Sequence, residues 1–387
     1  MALLTARPAL ALAYFTYFGV LGIFVPYLAL FLDGRGFNSQ QIGVLLAIVT
    51  ATRIVGPAIW TGFAERSSKP LRVMQLGAML ACVGWLGSFF DYGFWWLLAT
   101  LSLFSFFWTA ILPQLEVSTF LFLNNDTDQY SRIRSAGSVG YIVLVMSGGW
   151  AYQQYGSEFM PVTALAFLLL LVFCLFNLPL ITSSMDSSSK TLSYTQLFQH
   201  KILWIFMGAA LLMQISFAPF YVFFTLYSRD LGYSGSETGL LISLAVAAEI
   251  VAFYYAGRLM RNRSYRLLLG ICYGLTVVRW VMVALLAHSP WWLALSMLFH
   301  AGSFAIAHSC AMQFIQQVFP RAQRGRGQAL YAGLIFGGGG AIGAYLAGLS
   351  WQNGSGAVNT FLFAAGFALL ACLLILTLPK KIANMAN

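Results

Sequence analysis

Twelve stretches of about twenty apolar residues follow one another along the chain, at 9–32, 42–63, 73–90, 94–121, 133–152, 160–180, 202–227, 238–258, 267–287, 291–317, 329–350 and 357–378. Each is long enough to cross the roughly 30 Å hydrocarbon core of a bilayer as a helix. Lipid offers the backbone no hydrogen bonds, so only helices and closed barrels can span it. Prolines and glycines inside the stretches, with no alternating ten-residue pattern, argue against barrel strands. Composition agrees: 60% of the residues are hydrophobic and only 8% charged, where a soluble domain carries about 25% charged. The fold class expected is an all-α membrane protein.

The first stretch is preceded only by Arg7 and a second span follows at once. It reads as a retained helix, too long and wrongly flanked for a cleaved signal peptide. Cys82, Cys174, Cys272, Cys310 and Cys372 all fall inside spans without metal-ligand spacing, so they read as packing residues. The net charge of +10 would suit nucleic acid, but its distribution does not. With the N-terminus inside, the cytoplasmic segments hold sixteen Lys and Arg residues, and the opposite face holds only Arg35 and Arg229. That bias places both termini in the cytoplasm. Arg53, Arg134 and Arg279 remain within spans.

Residues 181–200 form the one long polar, Ser-rich segment, near the midpoint. The chain is therefore expected to comprise an N-terminal six-helix bundle (1–180), a cytoplasmic linker (181–200) and a C-terminal six-helix bundle (201–387). The halves match in detail. Gly36-Phe-Asn-Ser followed by Gly43-Val-Leu-Leu is repeated as Gly232-Tyr-Ser-Gly followed by Gly239-Leu-Leu-Ile, at a constant offset of 196. The loop running from Gly62 through Arg66 to Arg72 has its counterpart in Gly257, Arg261 and Arg266. Parallel six-helix repeats related by a pseudo-two-fold axis are the plan of the major facilitator superfamily.

An ionisable group at the bilayer centre costs roughly 2.5–3.5 kcal/mol on insertion scales. Of eleven acids, only Glu116 and Glu249 lie deep in apolar sequence. Arg53 occupies the position 196 residues before Glu249, and Arg279 lies mid-span. Four such charges cost on the order of 10 kcal/mol unpaired. Structural ion pairs are one reading; a shared polar chamber is the other, favoured by four charges at similar depth in different helices. His300 and His308 lie two turns apart in one span, about 80° apart around a regular helix, which excludes a close metal pair. Either could carry a proton. Gly337–Gly340 reads as a site of helix packing or bending rather than a phosphate loop, having no preceding strand and no following lysine.

These residues also carry a family resemblance. Tyr14-Phe-Thr-Tyr-Phe, Gly22-Ile-Phe-Val-Pro26, Ala51-Thr-Arg53-Ile-Val-Gly56, Leu298-Phe-His300-Ala-Gly-Ser-Phe, and Gly325-Arg-Gly-Gln-Ala-Leu-Tyr331 leading to Phe336-Gly-Gly-Gly-Gly340 resemble the bacterial 3-phenylpropionic acid transporter relatives over nearly the whole chain. At functional positions the sequence resembles the oligosaccharide:proton symporter branch typified by lactose permease. Glu116 and Arg134, eighteen apart, with Arg134 inside Arg132-Ile-Arg134-Ser-Ala-Gly137-Ser-Val-Gly140, are similar to that family's sugar-binding pair. Glu249, Arg279 and His300 are similar to the groups that link substrate binding to proton transfer there. One departure stands out: Ser303 occupies the position of the family's proton-carrying carboxylate. Glu249, Glu116 and His308 are left as carriers.

The resemblance implies a proton-coupled symporter working by alternating access in a bacterial inner membrane. Glu116, Arg134, Glu249 and His300 are the expected substrate-binding residues. Glu249, Arg279, His300 and His308 are the expected proton-coupling residues, with Arg279 beside Glu249. Arg53 is a buried charge without an assigned role. Three buried arginines against two glutamates favour a monoanion such as an aromatic carboxylate, with Phe15, Tyr17, Phe18, Phe107 and Trp108 available to a ring. A sugar or nucleoside fits a Glu–Arg pair as well, and a drug or sugar exporter uses the same scaffold. No nucleotide-binding loop is present, so transport powered by ATP within this chain is not expected. The expected partners are a small-molecule substrate, protons and the bilayer. Neither cofactor, metal nor nucleic acid is expected, nor enzymatic activity, and the chain is expected to act as a monomer.

Overall fold

The computed structural model describes residues 2–67, 70–123, 126–178, 201–319 and 323–379. The linker expected at 181–200 lies outside these residues, as do Lys69, Lys190, Arg321, Lys380 and Lys381 of the basic count. Helix is the only repeating structure among the described residues. We number the spans α1 (Arg7–Gly34), α2 (Ser39–Ala64), α3 (Leu71–Phe89), α4 (Phe94–Phe122), α5 (Thr127–Tyr155), α6 (Ser157–Phe176), α7 (Lys201–Asp230), α8 (Gly235–Met260), α9 (Tyr265–Leu286), α10 (Pro290–Val318), α11 (Arg324–Gly354) and α12 (Ala357–Ile375). Eleven are long and apolar enough to cross a membrane. The exception, α5, is a 29-residue helix whose sequence includes Arg132, Arg134, Gln153 and Gln154. The chain is a multi-pass membrane protein.

Local chemistry explains the helix ends and breaks. Gly36 and Gly232, one repeat offset apart, have φ of +81° and +88°. That left-handed conformation costs a side chain and suits glycine at a helix C-terminus. Ser264 caps α9 by accepting from the backbone N–H of Leu267 at 3.3 Å. In α4 the helix opens into a turn at Thr109–Ala110. Pro113 explains it, since proline has no N–H for the carbonyl four residues back and its ring clashes there.

By contact, the chain forms two compact units. One is Met1–Asp186 with Val222–Leu240; the other is Ser187–Tyr221 with Leu241–Asn387. The end of α7 and the start of α8 belong with α1 and α5. Within this first unit Thr225 Oγ1 donates to the Pro26 carbonyl at 2.6 Å, and Arg229 Nη1 pairs with Asp33 at 2.6 Å. The Gly235 N–H donates to Gln153 Oε1 at 2.8 Å. Gly149 and Gly235 pack so closely that a Cβ on either would strike the other's carbonyl oxygen.

The 196-residue offset holds well beyond the turns. Asp33 and Arg229, which pair with each other, are themselves one offset apart. Trp95 and Trp96 at the start of α4 correspond to Trp291 and Trp292 at the start of α10, and Trp95 and Trp291 are 77% and 84% exposed. Exposed tryptophans at span ends suit the headgroup region.

In the second unit the glycine run works as a packing surface. Gly339 and Gly343, four residues apart, face α7. A Cβ on Gly343 would lie 2.6 Å from the Ala218 Cβ and 2.9 Å from the Ile215 carbonyl. Small residues at this spacing let helices approach closely in lipid. Gly343→Ala is expected to destabilise the protein by about 1–3 kcal/mol, the usual cost of overpacking. Gly274→Ala, whose Cβ meets nothing within 4 Å, is the control. Thermal denaturation in detergent compares them, and equal midpoints would refute the packing role.

Candidate functional site

The buried charges separate into two groups, one in each unit. In the first unit α4 carries Glu116 and α5 carries Arg134. Arg134 Nε lies 3.9 Å from Glu116 Oε1, at the outer limit of an ion pair, and the side chains are 29% and 39% exposed. The guanidinium lies over the Phe18 ring of α1, 3.9 Å from its centroid, and 5.5 Å from that of Tyr14. Close approach of α1 and α5 makes this possible: a Cβ on Gly140 would strike the Phe15 carbonyl, and one on Gly137 would meet Phe18. Tyr130 lies within electrostatic reach of Glu116 and Arg134, and the Tyr14 hydroxyl donates to Thr119 Oγ1 at 3.3 Å. Glu116 is thus less buried than its apolar sequence suggests. The pair is held loosely enough for Arg134 to accept another anion.

The aromatic candidates separate as well. Tyr17 and Trp108 stack on each other, centroids 4.3 Å apart and planes 10° apart. Phe107 instead packs with Trp60 and Phe106, 5.7 and 5.5 Å away. Phe15 and Phe18 stay partly exposed, and Phe18 lies beneath the Arg134 guanidinium. Arg53, half-buried on α2, is within electrostatic reach of Tyr17. The first unit therefore holds Arg53 and Arg134 against Glu116, while the second holds Arg279 against Glu249. The excess positive charge expected from the sequence lies in the first unit.

In the second unit α8, α9 and α10 bring together Glu249, Arg279 and His300. Arg279 is fully buried. Its guanidinium lies 4.4 Å from the Trp280 ring centroid, 4.6 Å from Phe220 and 5.6 Å from Phe217. Such faces attract a desolvated cation, by about 2 kcal/mol each at best. Arg279 Nη1 lies 2.8 Å from His300 Nδ1 and 3.4 Å from Ser303 Oγ. His300 Nε2 lies 3.4 Å from Glu249 Oε2. Arg279 was expected beside Glu249; instead the imidazole bridges them.

That bridge fixes a tautomer. An arginine can only donate, so His300 Nδ1 must accept and Nε2 must carry the hydrogen that faces Glu249. An imidazolium would carry hydrogens on both nitrogens and lose the Arg279 bond. In this arrangement the imidazole accepts from Arg279 and donates toward Glu249.

His308 lies outside this chain of contacts. Its ring stacks on Phe304 at 5.8 Å and 5°, and Phe304 stacks on His300 at 5.3 Å and 13°. The expected 80° separation of the histidines assumed regular α-helix. Residues Ala301–Ile306 form a π-helix, whose wider turn advances each residue by less than 100°. Both imidazole rings lie nearly parallel to the Phe304 ring. Among the described residues no cluster of three His, Cys, Asp or Glu could hold a metal.

A family model described as the MFS_1 like family matches residues 8–363. The chain belongs to the MFS_1-like family. It is 30% identical over 359 residues to a protein of Escherichia coli (strain K12) called a probable 3-phenylpropionic acid transporter, covering 89% of this chain and 90% of that one. Its fold is similar to a crystal structure of the nucleoside transporter NupG in a single-substitution form, with a TM-score of 0.85 at 17% identity, covering 96% of this chain and 98% of that one. A D-xylose-proton symporter gives a TM-score of 0.76 at 14% identity, with 98% of both chains covered. The expected membership of the major facilitator superfamily and its twelve-helix fold are borne out.

In this MFS_1-like chain the repeat shows where the halves differ. Phe24 and Phe104 stand 196 residues before Phe220 and His300, and the rings of each pair are 5.2 and 6.0 Å apart. Where the second unit has Glu249 and His300, the first has Arg53 and Phe104. Sequence reading missed Tyr130, Met297 and Gln214. Tyr130, one turn before Arg134 on the same helix face, could have been found by its spacing. Met297, whose Sδ receives Arg279 Nη2 at 4.0 Å, carried no signal among so many apolar residues.

Proposed function

We propose that this protein is a proton-coupled symporter that takes up a small organic monoanion by alternating access, best exemplified by 3-phenylpropionate. The observation that carries the reading is the Arg134 guanidinium: accessible, only loosely paired with Glu116 and laid on the Phe18 ring. An arginine so placed can take a carboxylate bidentately, while Phe15 and Phe18 meet an aromatic ring. The local excess of positive charge supports an anion, as does the relative called a probable 3-phenylpropionic acid transporter. In the second unit Glu249 carries the coupled proton, and Arg279 and His300 hold the carboxylate in position. Glu249 and His300 are the second unit's own candidates for contact with the substrate. The setting is a bacterial inner membrane with both termini cytoplasmic, and the chain works as a monomer.

A sugar or nucleoside substrate is the second reading. It is favoured by the fold likeness to a nucleoside transporter and a xylose-proton symporter, and by the ability of a Glu–Arg pair to bind vicinal hydroxyls. A ligand-induced thermal-shift series on the purified chain separates the two, using 3-phenylpropionate, a galactoside and a nucleoside at two pH values. Stabilisation by the aromatic acid alone, absent in Arg134→Ala, is expected. Stabilisation only by the sugar or the nucleoside would overturn the substrate and leave the pair as the site.

A further inference from the structure

Three features meet beside the Arg279–His300–Glu249 group. First, α10 winds as π-helix over Ala301–Ile306 and α11 over Ala332–Gly339. Such turns are rare and concentrate at functional sites. Second, a cavity of about 30 Å3 is lined from both segments, and its polar lining is Gln214, Tyr273, Ser303, His308 and Tyr331. Third, His308 Nδ1 is buried with no hydrogen-bond partner in the protein. Buried polar atoms are satisfied by protein or by ordered water. One water needs roughly 10–15 Å3 of such space and two or more polar partners, so this cavity can hold about two.

We propose that this cavity is a hydrated proton station for the symport cycle, in which water joins Ser303 Oγ to His308 Nδ1 and His308 receives and releases the proton destined for Glu249. The inference rests on the proton-coupled reading above. Ser303 is the link between the two groups: it lines the cavity and accepts from Arg279 Nη1 at 3.4 Å. His300 cannot serve, because its Nδ1 is committed to Arg279. The step is a proton transfer alone. An O–H bond of a hydronium breaks as the N–H bond at Nδ1 forms, leaving water and an imidazolium, and the reverse releases the proton. Glu249 from α8 is the charge acting on His308. Tyr331 from α11 lies 6.3 Å away between ring centroids, Tyr273 of α9 and Gln214 of α7 line the cavity, and Phe253 and Phe304 cover the ring with apolar surface.

The test needs no substrate. The full chain, labelled with 15N-histidine and placed in nanodiscs, is titrated by NMR from pH 5 to 9. The signals of His200, His288, His300 and His308 are assigned by single His→Gln variants. His308 is expected to pass from imidazolium to neutral form within this range, while His300 stays in the Nε2–H form throughout. Ser303→Val fills the cavity and Ser303→Ala removes only the hydroxyl; either should move the His308 midpoint by about half a pH unit or more. A His308 signal that does not titrate would overturn the station. So would a midpoint unmoved in Ser303→Ala, which remains informative should Ser303→Val fail to fold. A shifting His308 in a protein that takes up no 3-phenylpropionate would support the station and overturn only the substrate.

Discussion

Glu249→Gln is expected to abolish accumulation of 3-phenylpropionate against its gradient. One proton per solute and a pH difference of one unit support about tenfold accumulation, because a pH unit is worth about 1.4 kcal/mol. In proteoliposomes with an acidic exterior the unmodified protein should approach that ratio, and Glu249→Gln should stop at about 1. The glutamine keeps an oxygen that can accept from His300 Nε2, now 3.4 Å from Glu249 Oε2. What it loses is the site for a proton. Counterflow of labelled against unlabelled solute should persist at a measurable rate, since exchange needs no net proton movement. Full accumulation in Glu249→Gln would remove this residue from the coupling mechanism. Glu249→Asp, which keeps the charge on a shorter stem, should recover part of the gradient.

Arg134→Lys is expected to weaken binding of 3-phenylpropionate by about 10- to 100-fold. A charge-assisted hydrogen bond is worth roughly 1.5–3 kcal/mol, and each 1.4 kcal/mol is a factor of ten. Lysine keeps the positive charge but not the planar fork that meets both carboxylate oxygens, nor the flat face now lying 3.9 Å from the centroid of Phe18. Isothermal titration on the purified variants measures the change. The effect should be large for the acid and small for its uncharged amide. Equal affinity of Arg134→Lys and the unmodified protein for the acid would show that the carboxylate sits elsewhere, with Arg53 the next residue to vary.

Much of this protein could be read from its chain alone. Eleven of the helices are apolar for about twenty residues at a time because lipid allows little else, so length and hydropathy located them. Even α5, the most polar, forms the predicted helix around Arg134. The 196-residue offset exposed the repeat because turn glycines such as Gly36 and Gly232 serve the same left-handed conformation in each half. Charges at Glu116, Arg134, Glu249 and Arg279 stood out because an ion in lipid is expensive without a purpose.

Other features were settled only in three dimensions. A span apolar around its whole circumference gives no sign of which face meets which neighbour. The insertion of His300 between Arg279 and Glu249, and hence its tautomer, comes from the packing of α8, α9 and α10. The stacking of His300, Phe304 and His308 comes from a π-turn at Ala301–Ile306, whose energy differs too little from α-helix to mark the sequence. The grouping of Val222–Leu240 with the first unit comes from close backbone contact at Gly149 and Gly235. Hydrophobic transfer to lipid is local and legible along the chain, whereas hydrogen bonds, ion pairs and glycine contacts join residues up to about two hundred positions apart and appear only when the helices have packed.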